Sequence, residues 1–174
     1  MKHNYFKIFY SGGFTMDTLI NLLKQNARLS CKELAAMTGA SESEVEAKIK
    51  EYEHNGIIKG YSAIVNDDAA DKNSVTAFIE VKVTPKADCG FDDIAKTIMM
   101  YDEVESLTLM SGSFDLAITI SGTNYKEIAL FVAQRLSTID GVISTATHFV
   151  LKRYKEKGIF FDDEAADERG FVSP

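Results

Sequence analysis

After Met16, apolar residues recur at helical spacing as Leu19, Ile20, Leu22 and Leu23, and Asn26-Ala27 closes the segment. Ser30-Cys31-Lys32-Glu33 has the form of a capping box, in which an N-cap serine and a glutamate three residues on satisfy each other's backbone N–H groups. The helix it opens is expected to turn Leu34, Ala35 and Met37 inward, and Gly39 suits the left-handed position that ends it. Ser41-Glu42-Ser43-Glu44 repeats the signal, and Val45, Ile49 and Tyr52 then fall on one helical stripe that stops near Asn55-Gly56. Ile57-Ile58-Lys59-Gly60-Tyr61 reads as a short strand or wing, followed by Ile64-Val65 and an acidic stretch over 66–73.

The period then changes. Val75, Ala77, Ile79, Val81 and Val83 alternate as in a strand that Pro85 ends, and Phe91, Ile94, Ala95 and Ile98 return to helical spacing. Leu107 and Leu109 begin a strand, Gly112-Ser113 makes a turn, and Phe114, Leu116, Ile118 and Ile120 alternate again. Gly122-Thr123-Asn124 is a turn with an N-cap candidate before a helix carrying Ile128, Phe131, Val132, Leu136 and Ile139. Gly141 ends that helix, and Ile143, Thr145, Thr147, Phe149 and Leu151 are expected on one face of a last strand.

Two helices across a glycine turn form a helix-turn-helix, whose second helix normally enters the DNA major groove. A plain helical hairpin has the same spacing. The order β-α-β-β-α-β is the ferredoxin-like arrangement. The fold class is therefore α+β, a winged helix-turn-helix followed by a ferredoxin-like domain. The expected spans are an N-terminal extension at 1–15, the DNA-binding domain with a linker strand at 16–66, the second domain at 74–151, and a tail at 152–174. Helices cover only one face of such a sheet, so a second copy of the chain is the economical cover for the other.

The composition is that of an ordinary globular protein, with no apolar run long enough to span a membrane. Residues 1–15 lack a secretory cleavage pattern and receive no function. Cys31 and Cys89 have no partner at metal-ligand spacing, and His3, His54 and His148 are scattered. Reduced thiols, a cytoplasmic setting and no metal site are the expectations. The net charge of -7 opposes nucleic-acid binding until it is divided along the chain. Residues 1–15 contribute +2, 16–66 contribute -1, and 67–174 contribute -8, so most of the acidity lies outside the helix-turn-helix.

These pieces, in this order, resemble the leucine-responsive regulatory protein/AsnC family of transcription regulators. The stretches that carry the resemblance are Asn26-Ala27-Arg28-Leu29-Ser30, Glu33-Leu34-Ala35, Gly39-Ala40-Ser41 and Asn55-Gly56-Ile57-Ile58-Lys59-Gly60-Tyr61. In the second domain they are Ser111-Gly112-Ser113-Phe114-Asp115-Leu116, Gly141-Val142 and Thr145-Ala146-Thr147. The resemblance implies double-stranded DNA as partner, a linker strand near 61–65, and homodimers that assemble further, often to octamers. It also implies an amino acid effector rather than a resident cofactor.

On this resemblance the DNA-contacting set is Arg28, Ser30, Ser41, Ser43, Glu44, Lys48 and Lys59. Lys48 stands where the family usually has arginine, and a lysine lacks the bidentate fork. Glu44 can accept from a cytosine amino group, although acids in a first helical turn also complement the helix dipole. The effector set is Gly112, Ser113, Phe114, Asp115, Thr145 and Thr147. Asp115 offers an acceptor for an ammonium group, and backbone N–H groups with the threonine hydroxyls offer donors for a carboxylate. The recognition helix is itself acidic, with Glu42, Glu44, Glu46, Glu51 and Glu53 against Lys48 and Lys50. That acidity raises an alternative, an amino-acid sensor that no longer binds DNA and acts by protein association. Haem-pathway decarboxylases share the two-domain order, but the histidines here are dispersed and neither a nucleophile–base pair nor a phosphate loop is evident. The expectation is a regulator and not an enzyme.

Overall fold

The computed structural model describes residues 16–70, 74–85 and 90–161. Readings that concern 1–15, Cys89 and 162–174 lie outside the described residues. The chain divides into two compact units between Ala63 and Ile64.

The first unit is built from α1 (Met16–Gln25), α2 (Cys31–Thr38) and α3 (Glu42–His54). Leu19, Leu34, Ala35, Val45 and Tyr52 are its buried core, and Ile20, Leu22, Leu23, Leu29 and Ile49 pack around them. Both capping boxes form, at Ser30 with Glu33 and at Ser41 with Glu44. Gly39 ends α2 at φ 74 and sends its N–H to the Ala35 carbonyl, a backbone shape that favours glycine. Met37 departs from expectation and is 57% exposed. It lies about 200° around the helix from Ala35 at 3.6 residues per turn. Thr38 takes the inner position, with its hydroxyl donating to the Leu34 carbonyl at 2.7 Å.

The expected strands at 57–61 and 61–65 are absent, because 57–66 carries no ladder. The N–H groups of Ile57 and Ile58 both turn back to the Tyr52 carbonyl, at 2.8 and 3.1 Å. That turn closes the C-terminal end of α3 and leaves Ile58 packed on the core while Ile57 is 45% exposed.

The second unit opens with a single helical turn, α4 (Asp67–Ala70), and then β1 (Val75–Val83), α5 (Asp92–Ile98), β2 (Val104–Leu109) and β3 (Leu116–Gly122). α6 (Tyr125–Phe131) runs into a π-helical turn (Val132–Leu136), followed by β4 (Val142–Phe149). The four strands form one sheet in the order β2-β3-β1-β4, with every pairing antiparallel. Ala77, Ile79, Val81 and Val83 alternate inward from β1, as expected. With Leu116, Ile118 and Ile120 they meet Ile94 and Ile98 of α5 and Ile128, Phe131 and Leu136 of the second helical segment. Gly141, at φ 93, is a close approach: a Cβ there would sit 2.8 Å from Ile94 Cδ1.

Three features differ from the sequence pattern. Val83 pairs with Val142 but Lys82 pairs with Ser144, so Ile143 is the extra residue of a β-bulge and is 66% exposed. The bulge shifts the phase, so Val142, Thr145, Thr147 and Phe149 face the helices, and β4 ends before Leu151. Phe114 lies ahead of β3 and packs edge-on against Phe78, which alternation places on the face away from the helices. The tail contains a short hairpin, β5 (Lys155–Glu156) with β6 (Ile159–Phe160).

Candidate DNA-reading helix and effector turn

α3 is the second helix of the helix-turn-helix, and its cap fixes how it begins. Ser41 Oγ accepts from the Glu44 N–H at 3.3 Å, while Glu44 Oε2 accepts from Ser41 N–H at 2.8 Å and from Ser41 Oγ at 2.7 Å. Those bonds, the side-chain one first, hold the Glu44 carboxyl below its usual value. Glu44 is thus occupied as the reciprocal cap. Ser30 and Glu33 repeat the arrangement at the start of α2.

The other members of the DNA set sit at the surface. Ser43 is exposed, with Oγ 3.2 Å from Ser41 Oγ. Arg28 and Lys59 are exposed, and the Lys59 ammonium folds back over Gly56, where a Cβ would lie 2.7 Å from Nζ. Lys48 donates to Glu51 Oε2 at 2.7 Å and lies 5.3 Å from the centre of the Tyr52 ring. The Glu51 bond raises the Lys48 pKa and keeps it charged. Lys50 is likewise bonded to Glu46 at 2.7 Å. Lys48 and Lys50 of α3 therefore each have an acid on the same helix, with which any anion they met would compete.

In the second unit the β2–β3 turn holds the candidate effector residues. Met110 N–H donates to the Asp115 carbonyl at 2.8 Å, closing the ladder at the base of the turn. Asp115 N–H donates to the Val81 carbonyl, and its Oδ2 accepts from Val83 N–H at 2.9 Å. The carboxylate therefore pins the turn to the end of β1, with capacity left for a further donor. A Cβ on Gly112 would meet no atom within 4 Å, so the turn's backbone is uncovered there. Thr145 pairs with Val81 and Thr147 with Ile79, which places both on the helix-covered face, and Thr145 Oγ1 is 3.4 Å from Ser137 Oγ. Phe114 packs on the opposite face, with Phe78 and, next to it, His148. Within one chain the six residues share an end of the sheet but not one face.

A groove that no sequence motif indicated lies between α5 and β2. Its volume is about 450 Å³, and its walls are Phe91, Ala95 and Met99 on one side and Leu107, Leu109 and Leu116 on the other. Asp92, Glu105 and Ser106 complete it. Among the described residues, no group of three or more His, Cys, Asp or Glu side chains is placed to hold a metal ion. No described helix is long and apolar enough to cross a membrane.

Residues 18–59 match a winged helix-turn-helix DNA-binding domain, and residues 76–160 match the Lrp/AsnC ligand binding domain. An uncharacterised HTH-type transcriptional regulator of Bacillus subtilis, YugG, is 42% identical over 157 residues, covering 90% of this chain and 95% of its own. The chain belongs to the Lrp/AsnC family of transcriptional regulators. The HTH-type regulator FL11 of Pyrococcus furiosus is 30% identical over 79% of this chain and 88% of its own. Among solved structures, the transcriptional regulator NMB0573 of Neisseria meningitidis, in complex with L-methionine, is 27% identical. It covers 80% of this chain and 89% of its own, with a TM-score of 0.66. The feast or famine regulatory protein Rv3291c of M. tuberculosis, also complexed with L-methionine, shares the fold at 24% identity and a TM-score of 0.67, over 80% of this chain and 92% of its own.

As an Lrp/AsnC regulator the chain joins a helix-turn-helix to a ligand-binding domain, and its relatives are regulators rather than enzymes. Two signals of the α5–β2 groove were present in the sequence. Met99-Met100 extends the apolar run past Ile98, the last inward residue of α5. Leu109-Met110 places two apolar residues in succession where alternation calls for one.

Proposed function

We propose that this regulator reads duplex DNA with α3 and answers to an amino acid bound at the β2–β3 turn of its ligand-binding domain. The observation that carries the reading is the capped helix-turn-helix in one chain with a ligand-binding domain whose turn leaves Gly112 uncovered. L-methionine in the complex of NMB0573 supports the effector class. On DNA, Arg28, Lys48 and Lys59 neutralise phosphates, and Ser30, Ser41 and Ser43 place polar groups and helix N-termini against the backbone. Glu44 acts as the cap that orders the start of α3. At the turn, backbone N–H groups of Gly112, Ser113 and Phe114 face the effector carboxylate and Asp115 faces its ammonium. Thr145 and Thr147 brace the same end of the sheet. The protein works in the cytoplasm as a homodimer that assembles further, with a second copy covering the sheet face away from the helices.

Fluorescence anisotropy with DNA from upstream of its own gene, at low and moderate salt, tests the DNA half. Binding with a shallow salt slope per protomer is expected, because residues 16–66 carry only six Lys and Arg and the two on α3 are paired with acids. No binding at either salt by folded protein overturns it. The pairing of Lys48 and Lys50 with acids of their own helix favours a second reading, a sensor that acts by protein association. Calorimetric binding of an amino acid by a protein with no DNA affinity selects that one.

A further inference from the structure

Resting on the reading that duplex DNA is the partner, we infer that the β5–β6 hairpin is a second DNA-contacting surface, which binds backbone phosphates through Lys155 and Lys157. The stretch 152–157 holds Lys152, Arg153, Lys155 and Lys157 against Glu156 alone, a net charge of +3. No stretch of six residues elsewhere in the chain exceeds +2. The most cationic segment of a chain with a net charge of -7 therefore lies outside the helix-turn-helix. In α3, Lys48 and Lys50 are each held by an acid of the same helix. Lys155 and Lys157 are exposed, and among the described residues neither is ion-paired. A phosphate that meets these two breaks no ion pair.

The fold presents these charges against local preference. Arg153 anchors the hairpin, 2.9 Å from Glu156 and 3.4 Å from Asp67, so the one acid of the segment is engaged by the anchor. Lys157 has φ 45 and Gly158 φ 89, the two positive values of a type I′ turn, where asparagine and glycine are usual. Among the described residues Lys157 is the one non-glycine with a positive φ. A lysine is disfavoured in that conformation, and here it puts an ammonium at the tip of the hairpin. Lys155 lies 4.7 Å from the centre of the Phe160 ring, and Lys152 4.8 Å from that of Tyr154, which is 65% exposed. Lysines also blunt sheet edges against pairing, but strands of two residues offer little edge to protect. Separate exposed charges on a hairpin do not enclose a small anion, and they suit an extended polyanion. A duplex carries one charge per about 1.7 Å of its axis. Residues 162–174 bring five acids and one arginine, a far sparser competitor.

Fluorescence anisotropy of the full-length protein across a salt series tests this, on DNA from upstream of its own gene and on unrelated DNA of equal length. Lys155→Gln/Lys157→Gln is expected to weaken binding to both DNAs by the same factor, at least about fivefold at ~0.1 M salt. The slope of log affinity against log salt is expected to fall by about 2 per protomer in contact. Lys157→Gly removes one charge and relieves the turn, so it is expected to weaken both DNAs in protein that melts no lower than the parent. Lys96→Gln/Lys126→Gln removes the same charge from exposed positions on α5 and α6, and is expected to change affinity less than about twofold. Parent affinity and slope in the hairpin variant, or an equal loss in the Lys96/Lys126 variant, overturns the hairpin assignment while DNA reading by α3 stands. So does a loss confined to the upstream DNA. Capture of phosphatidylserine vesicles by the parent but not by the hairpin variant, with DNA affinity unchanged, assigns the surface to a membrane instead. Failure of the parent to bind either DNA overturns both.

Discussion

The serines that open α2 and α3 show how much a single residue sets. Each accepts from the third backbone N–H of its helix, and its glutamate returns the bond. Ser41→Ala is expected to cost about 1 kcal/mol of stability, measured by urea unfolding of the helix-turn-helix signal. The same bonds make the unit acid-sensitive. Glu33 and Glu44 sit below their ordinary value of 4.5 in the folded chain, held by hydrogen bonds from Ser30 and Ser41. A carboxyl whose folded pKa is depressed stabilises the fold above its unfolded value. That contribution is lost as the pH falls through the lower, folded one. The fall in melting temperature from about pH 5 to about pH 3 should be steeper in the parent than in Glu33→Gln/Glu44→Gln. Lys48→Ala should weaken DNA binding severalfold in anisotropy, and Glu51→Gln, which frees Lys48, should strengthen it. The caps were legible because serine and glutamate three apart meet through local backbone alone. The job of Asp115 was not, because Val83, whose N–H it accepts, is remote in sequence.

At the scale of elements, period indicated α1, α2, α3, α5 and α6 and all four strands of the main sheet, but not the single turn α4, which lies in the stretch read as an acidic linker. Where it failed otherwise, a partner segment had changed the phase. The bulge at Ile143 is set by the register of β4 on β1, and no local feature of β4 announces it. The π turn after α6 is set by Ser137 N–H reaching the Val132 carbonyl at 2.8 Å, which adds a residue to the turn while Val132 and Leu136 stay buried. The small hairpin after β4 is held by Arg153, which pairs with Glu156 at 2.9 Å and with Asp67 at 3.4 Å. Its guanidinium also lies 5.7 Å from the centre of the Phe161 ring. Arg153→Ala is expected to speed amide exchange over 155–160 and over 67–70. The swap Arg153→Asp with Asp67→Arg should restore protection at 67–70 but not at Glu156, which then faces a like charge.

Among the described residues there are two cores, one around Leu34 and Tyr52 and one around Ile79 and Ile118. Leu34→Ala and Ile79→Ala should each cost about 2–5 kcal/mol, read as a lowered transition of the unit that holds the residue in calorimetry. The charge is divided along the chain as well, with 16–66 near neutral and 67–174 at -8. In the oligomer we propose, a reading unit so balanced depends on avidity more than on the contacts of one protomer. Dilution below the dissociation range of the proposed dimer should therefore abolish DNA binding before the protein unfolds.

By itself the sequence determined the units, their order and their caps, because helix and strand periods and capping boxes are written in residues close along the chain. The tertiary structure alone decided which face each residue serves. Met37 is exposed because Thr38 fills the inner place, and Ile143 because its strand pairs out of step with β1. Lys48 and Lys50 meet their acids across one turn of helix, a contact the spacing allowed but side-chain geometry had to choose. The groove between α5 and β2 exists only because the two elements lie against each other, so Met99-Met100 and Leu109-Met110 signal excess apolar surface in the sequence without giving the groove they help to form.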